Sequence, residues 1–417
     1  MNEPIFIARQ DTLEQEILPA HWLAQYKLFG EESYTFQDKG IWKKLCMSSA
    51  AANDRDIHAE ALEEMLTTFS AEHTGKWMLT VYGMDAAALE GLATMAAIAA
   101  NGTAMGAIAD NALLMHAIAN SETAMQRIAN SQTAMQRVAN NRGAMDAIGR
   151  SRIARDAVQA SPYYNSCIKE NDMAIAKLAV ALANLESAGY SGMAGVAADS
   201  TAMTAVAASS VARNAISASP YYDEKIKEND MAIAKLVVGF ANLASANYSS
   251  MAGVVADATA MTAVAASSTA MTAVAASGVA LKAIAQAYKN TANMLQFLKA
   301  VNASDTLIKR IYTTLTNATA LFGASQLGSQ DSVENANSWA TTSAAPNAFL
   351  ACACGYYGSS SDSVSVTYNG TVIAQKKTGT KQPGSVASTN VNAITMAPST
   401  FTENGDGYLA VQKFTAK

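Results

Sequence analysis

Imidazole is the side chain best suited to proton transfer and metal binding near neutral pH, and the chain has four: His21, His58, His73 and His116. His58-Ala59-Glu60 and Glu72-His73 set a carboxylate beside a ring, the raw material of a metal or acid–base site. Neither has a recognised ligand spacing, and ordinary surface or core roles account for both. No histidine follows His116, so the C-terminal part has no Ser-His-Asp or Cys-His site of its own. Glu31-Glu32 and Glu63-Glu64 read as solvated faces. The stretch GMAGVAAD (192–199) lacks the Lys-Ser/Thr ending and the preceding strand of a phosphate loop. No catalytic residue, cofactor or metal is assigned. The candidate for binding is Tyr356 and Tyr357 with Ser359 and Asp362: an aromatic pair beside a polar loop can stack on sugar or anchor a protein partner. A purely structural role competes with that reading.

The elements that would position such groups are set by a ten-residue phrase. Methionine recurs at Met95, Met105, Met115, Met125, Met135 and Met145, and a branched aliphatic follows three residues later, as in Ile98, Ile108 and Val138. The phrase returns at Met193, Met203, Met251, Met261 and Met271. Methionine at a fixed position is deformable core filler rather than a metal array. Ten residues turn an α-helix through about 1000°, roughly 80° short of three turns, so one continuous helix would wind its apolar stripe around itself. Ser, Asn or Asp at each boundary, as in Asn120-Ser121, Asn130-Ser131 and Ser267-Ser268, can cap a fresh start. The expectation is one short helix of about two turns per unit, stacked on its neighbours. A single supercoiled helix with polar interruptions is the competing reading.

A larger repeat overlies the small one. SPYYNSCIKENDMAIAKL (161–178) recurs as SPYYDEKIKENDMAIAKL (219–236), each copy opening on a Ser-Pro break and continuing into a longer helix capped near Asn171 or Asn229. The tyrosine pairs Tyr163-Tyr164 and Tyr221-Tyr222 fit packing at these junctions. Beyond Ile284, Met294, Phe297, Val301, Ser304, Ile308, Ile311, Leu315, Ala318 and Phe322 follow a 3-4 spacing. Met294, Phe297, Val301, Ile308, Ile311, Leu315 and Phe322 form a candidate oligomer seam, with a trimer favoured. A helix pair folding back on the repeats is an equal alternative. Residues 324–347 read as a small, polar linker. Strand-like runs then flank Asn369-Gly370, the strongest short hairpin signal, and predict a small C-terminal β-sandwich-like domain.

Composition excludes several classes. Half the residues are hydrophobic and 15% are charged, which argues against disorder throughout. A net charge of −5 offers no general attraction to nucleic acid or anionic membrane, and Arg127, Arg137 and Lys282 are too sparse for a nucleic-acid track. The first segment is the acidic one, and it carries Trp22, Trp42 and Trp77. Lys177 and Lys235 interrupt the longest apolar runs, so no membrane insertion is expected. Four cysteines, Cys46, Cys167, Cys352 and Cys354, fit free buried thiols in a chain made in a reducing cytoplasm. Cys352 and Cys354, two apart on a strand, point the same way and are poorly placed to bond each other. No signal peptide is visible at the start.

The Ala-rich TAMTAVAAS phrases (201–209, 259–267, 269–277), with a distinct head before them and a β-rich tip after, resemble tail-fibre and other virion appendage proteins of tailed bacteriophages. The resemblance covers about 200 of the 417 residues and carries over no catalytic residue. It implies a structural protein of the virion, joined to other tail subunits through one end and contacting a host-surface receptor or a neighbouring subunit with the other. The expected fold class is mainly α: Ala-rich decapeptide repeats of short helices with some longer ones, an α-rich N-terminal domain and a small β-domain. The expected plan is an N-terminal docking domain (1–84), decapeptide repeats (85–160), two long-helix modules (161–218 and 219–289), a heptad-patterned helix (290–323), the linker (324–347) and the β-domain (348–417). The alternatives are a bacterial surface adhesin or filament subunit, and an enzyme with its site in the N-terminal domain.

Overall fold

A computed structural model of the chain describes residues 92, 94–333, 338–341, 347–356, 363–377, 385–396, 399–404 and 407–417. The docking domain predicted at 1–84, with its tryptophans, His21, His58, His73 and Cys46, lies outside them. The rest is mostly helical, with a C-terminal region of antiparallel strands. It divides into two compact units, Met1–Met193 with Ala218–Pro220, and Ala194–Ser217 with Tyr221–Lys417. This division differs from the predicted modules.

In the first unit each phrase is one short helix: α1 (Met95–Ala100), α2 (Gly102–Asp110), α3 (Ala112–Ala119), α4 (Glu122–Ala129), α5 (Gln132–Ala139), α6 (Arg142–Arg150) and α7 (Arg152–Ala160). In α4 the buried residues are Ala124, Met125, Ile128 and Ala129, and α5 repeats the set with Ala134, Met135, Val138 and Ala139. These i, i+1, i+4, i+5 positions form one stripe, which faces the helices three places away. Thus α4 touches α1 and α7, α5 touches α2, and α6 touches α3. Boundary serines secure this stacking because a hydroxyl both accepts and donates. Ser131 Oγ accepts from Ala134 N of its own helix (3.3 Å) and donates to Ala99 O (2.6 Å). Ser151 likewise reaches Ala119 O, and Ser161 reaches Ala129 O, each at 2.5 Å and each 32 residues back.

The Ser-Pro break is followed by a π-helical turn (Tyr164–Lys169), a wider helix that periodicity does not announce, and then by α8 (Asp172–Leu182), capped by Asn171. Helix α8 is buried almost all round, Lys177 included. It ends at Asn184 in the left-handed conformation (φ 59°), with Leu185 N returning to Val180 O (3.2 Å), a Schellman closure.

The same vocabulary builds the second unit. Beyond α9 (Met193–Ala198) come α10 (Ser200–Ala208), α11 (Ser210–Ser217), a second π-helical turn (Tyr222–Ile226), α12 (Asp230–Phe240), α13 (Met251–Ala256), α14 (Ala258–Ala266), α15 (Ser268–Ala276) and α16 (Gly278–Gln286). The chain bends by 101° between α14 and α15, so three such legs nearly close a circuit. Accordingly α12 touches α15, and α13 touches α16. No single helix among the described residues is long and apolar enough to cross a membrane.

The heptad-patterned segment forms two helices, α17 (Thr291–Asn302) and α18 (Asp305–Asn317). They part where Ser304, the weak seam position, becomes an N-cap. Two four-stranded antiparallel sheets follow, ordered β1-β8-β3-β6 and β2-β7-β4-β5. Their strands are β1 (Phe322–Val333), β2 (Ser338–Thr341), β3 (Ala348–Tyr356), β4 (Ser363–Tyr368), β5 (Thr371–Lys377), β6 (Val391–Met396), β7 (Ser399–Asn404) and β8 (Gly407–Ala416). The linker expected at 324–347 is therefore corrected: much of it is β1 and β2. Its small polar residues lack strand alternation, and the ordering comes from pairing with β8 and β7. Asn369 and Gly370, both at positive φ, close the β4–β5 hairpin as their dipeptide predicts.

Candidate functional site

The structure spends the predicted seam inside the chain. Met294, Phe297, Val301, Ile308, Ile311 and Leu315 are at most 1% exposed and Phe322 is 3% exposed. Phe297 and Phe322 each pack a tilted ring against Phe349 of β3, with ring centroids 6.4 Å apart. The buried amide of Asn302 completes the join, donating to Ile394 O (2.7 Å) and accepting from Ile394 N (3.0 Å) on the edge strand β6. Of the two readings offered, the helix pair folding back fits this burial. The seam that favoured a trimer is corrected, because its side chains already cover one another and the sheet.

Tyr357, Ser359 and Asp362 lie outside the described residues, and Tyr356 is placed only as the last residue of β3. His116 sits within 3.1 Å of the Asn120 amide through Nε2. The thiols Cys167, Cys352 and Cys354 are buried, with the Cys352 and Cys354 sulfurs 3.2 Å apart. Tyr222, at the start of the second π turn, has its hydroxyl pushed up to about 12 by burial and by the nearby Asp223 and Glu228 charges, which outweigh Arg310. No group of three or more His, Cys, Asp and Glu side chains able to hold a metal ion occurs among the described residues.

What the fold does assemble is a pair of buried lysine clusters. Lys177 on α8 is fully buried, and its ammonium meets Asp146 Oδ1 of α6 at 2.5 Å and Ser187 O at 3.0 Å. Ser187 Oγ donates to the same carboxylate oxygen (3.1 Å), so one Asp answers both donors. Beside it, Arg150, Arg155, Asn184, Glu186 and Ser187 line an open cleft of about 320 Å³. Arg150 pairs with Glu186 at 3.1 Å, and this contact holds the Glu186 carboxyl below the usual carboxylate range. Arg155 donates to Gly149 O at 2.5 Å.

The copy 58 residues on keeps the lysine and changes its setting. Lys235, 1% exposed, reaches Thr204 Oγ1 (2.8 Å), Ser245 O (3.2 Å) and Ala246 O (3.4 Å), with no carboxylate among these partners. Burial pushes its pKa below the ordinary lysine value. The Ser245 hydroxyl, buried like Ser187, has no hydrogen-bond partner among the described residues. The sequence held a signal for this pair of sites: one lysine interrupts the apolar run at the same place in both copies. What it touches, 31 residues back, required the fold.

Comparison of the sequence with protein-family models and with curated proteins finds no match.

Proposed function

We propose that the chain is a structural component of a phage virion, of tail-fibre or tail-appendage type. In this reading the decapeptide repeats form a solenoid-like spacer, the two C-terminal sheets a small sandwich, and that β-domain meets a receptor or a neighbouring subunit. The observation that supports it best is the use made of the repeat residues. Met, Ile and Ala are buried helix on helix, while the boundary serines close hydrogen bonds to the stacked helix, as Ser151 does to Ala119 O. Chemistry spent on self-stacking suits a part that bears and spaces, and affinity at its tip would come from many copies acting together.

The test is location. An antibody against the full chain, applied to density-purified particles from an infected culture, is expected to decorate the tail region and to find the chain at fixed stoichiometry. Its absence from washed particles, with label on intact uninfected bacteria, would overturn the reading and favour a surface adhesin or filament subunit.

A further inference from the structure

We propose that the second unit holds a small-anion site at Lys235 and Ser245, filled by chloride or a comparable monoanion taken from solution.

The first unit supplies the template. There the position facing the buried ammonium is occupied by an anion that belongs to the chain, the Asp146 carboxylate, which accepts from both Lys177 Nζ and Ser187 Oγ. At the matching positions Lys235 and Ser245 keep both donors, and Thr204 replaces the acceptor. Threonine reaches one bond less far than aspartate and carries no charge. Its Oγ1 accepts from Lys235 and spends its own proton on Ser200 O (2.7 Å), so nothing in the cluster accepts from Ser245. The result is a cation and a hydroxyl, both more than nine-tenths buried, with neutral oxygens around the cation and none offered to the hydroxyl. A buried charge without a counter-charge is costly, and one monoanion seated as the Asp146 carboxylate is seated would relieve both deficits. Thr204 is partly exposed whereas Lys235 is not, so exchange of the proposed anion with solution would run past the Thr204 side chain.

The experiment is thermal unfolding of the full-length chain at fixed pH and ionic strength, with chloride exchanged for isethionate, a bulkier and weakly coordinating monoanion. Chloride is expected to raise the midpoint of the wild type by roughly 2–4 °C, since a ligand of the native state alone stabilises it by mass action. Thr204→Asp brings its own carboxylate, and is expected to unfold higher and to lose the chloride response. Chlorine-35 line broadening by the wild type, reduced in Ser245→Ala, provides a second readout should Thr204→Asp fail to fold. An equal midpoint in the two salts, an undiminished chloride response in Thr204→Asp, or line broadening unchanged by Ser245→Ala would each overturn the site.

Discussion

The helix at 172–182 and its copy at 230–240 share the motif Asp-Met-Ala-Ile-Ala-Lys-Leu, yet the surroundings of that lysine have diverged in contacting sets. Where the first copy has the Arg150–Glu186 pair, the second has Ala208 and Ala244, both charges gone together. Where the first sets Gly149 against Ala181, the second sets Ala207 against Gly239, the missing methyl having changed sides. Arg155 and Arg213 make the same bond to the carbonyl of that small residue, but Phe240 replaces Leu182 and lies 5.7 Å beneath the Arg213 guanidinium. The first two of these neighbour sets changed as pairs, as close-packed interiors require. Asp146, like Leu182, differs from them: its counterpart Thr204 changed while both of its partners stayed.

The sharpest way to break this comparison is to strip the first copy of its acceptor. Asp146→Ala leaves Lys177 as a buried charge without its carboxylate, and is expected to cost about 3–5 kcal/mol of unfolding free energy. Asp146→Thr, which imports the second copy's solution, should cost distinctly less. Denaturant titration of both variants measures the gap, and equal losses would show that the threonine arrangement does nothing for the ammonium.

A middle-sized effect is expected at the exchanged methyl. A Cβ added at Gly239 would lie 2.3 Å from Ala207 O and 3.0 Å from its Cβ, so Gly239→Ala should destabilise by about 1–3 kcal/mol. Adding Ala207→Gly recreates the first copy's Gly/Ala order and should recover part of the loss. A double-mutant cycle that sums without coupling would mean the two methyls never competed for the same space.

The smallest effect belongs to the surface pair. Arg150 and Glu186 are 47% and 58% exposed along their side chains, so Glu186→Ala should cost at most about 1 kcal/mol and less in high salt. Because Arg150 holds the Glu186 carboxyl below its ordinary value, the contribution is present above the ordinary carboxylate range. It is lost as pH falls through the depressed value. Stability curves of variant and wild type should therefore converge in acid; parallel curves would show that the pair carries no pH-linked energy.

How far the sequence reached differs from region to region. The helical decads were legible because two signals agreed: an apolar stripe too short to continue and a capping residue at each break, as at Ser121, Ser131 and Ser267. The Asn369-Gly370 hairpin was legible because few other residue pairs adopt two successive positive φ angles without strain. The heptad spacing misled because a 3-4 stripe says that a helix has an apolar face, not what covers it. Here Phe349 and the edge strand β6 do. Strand β1 was hidden because Gly, Ala and Ser have little intrinsic preference for strand, and its order is borrowed from β8.

By itself, then, the sequence determined what is local: where the capped short helices start, which stripe is apolar, where the hairpin turns, and that two stretches are copies. Only the tertiary structure decided what each stripe faces, which acceptor meets Lys177 and which meets Lys235, and which of two neighbours must lack a methyl. Those outcomes depend on residues about 30 positions apart, brought together by a circuit of three short helices. Nothing in either short segment read alone encodes the partner that the circuit delivers.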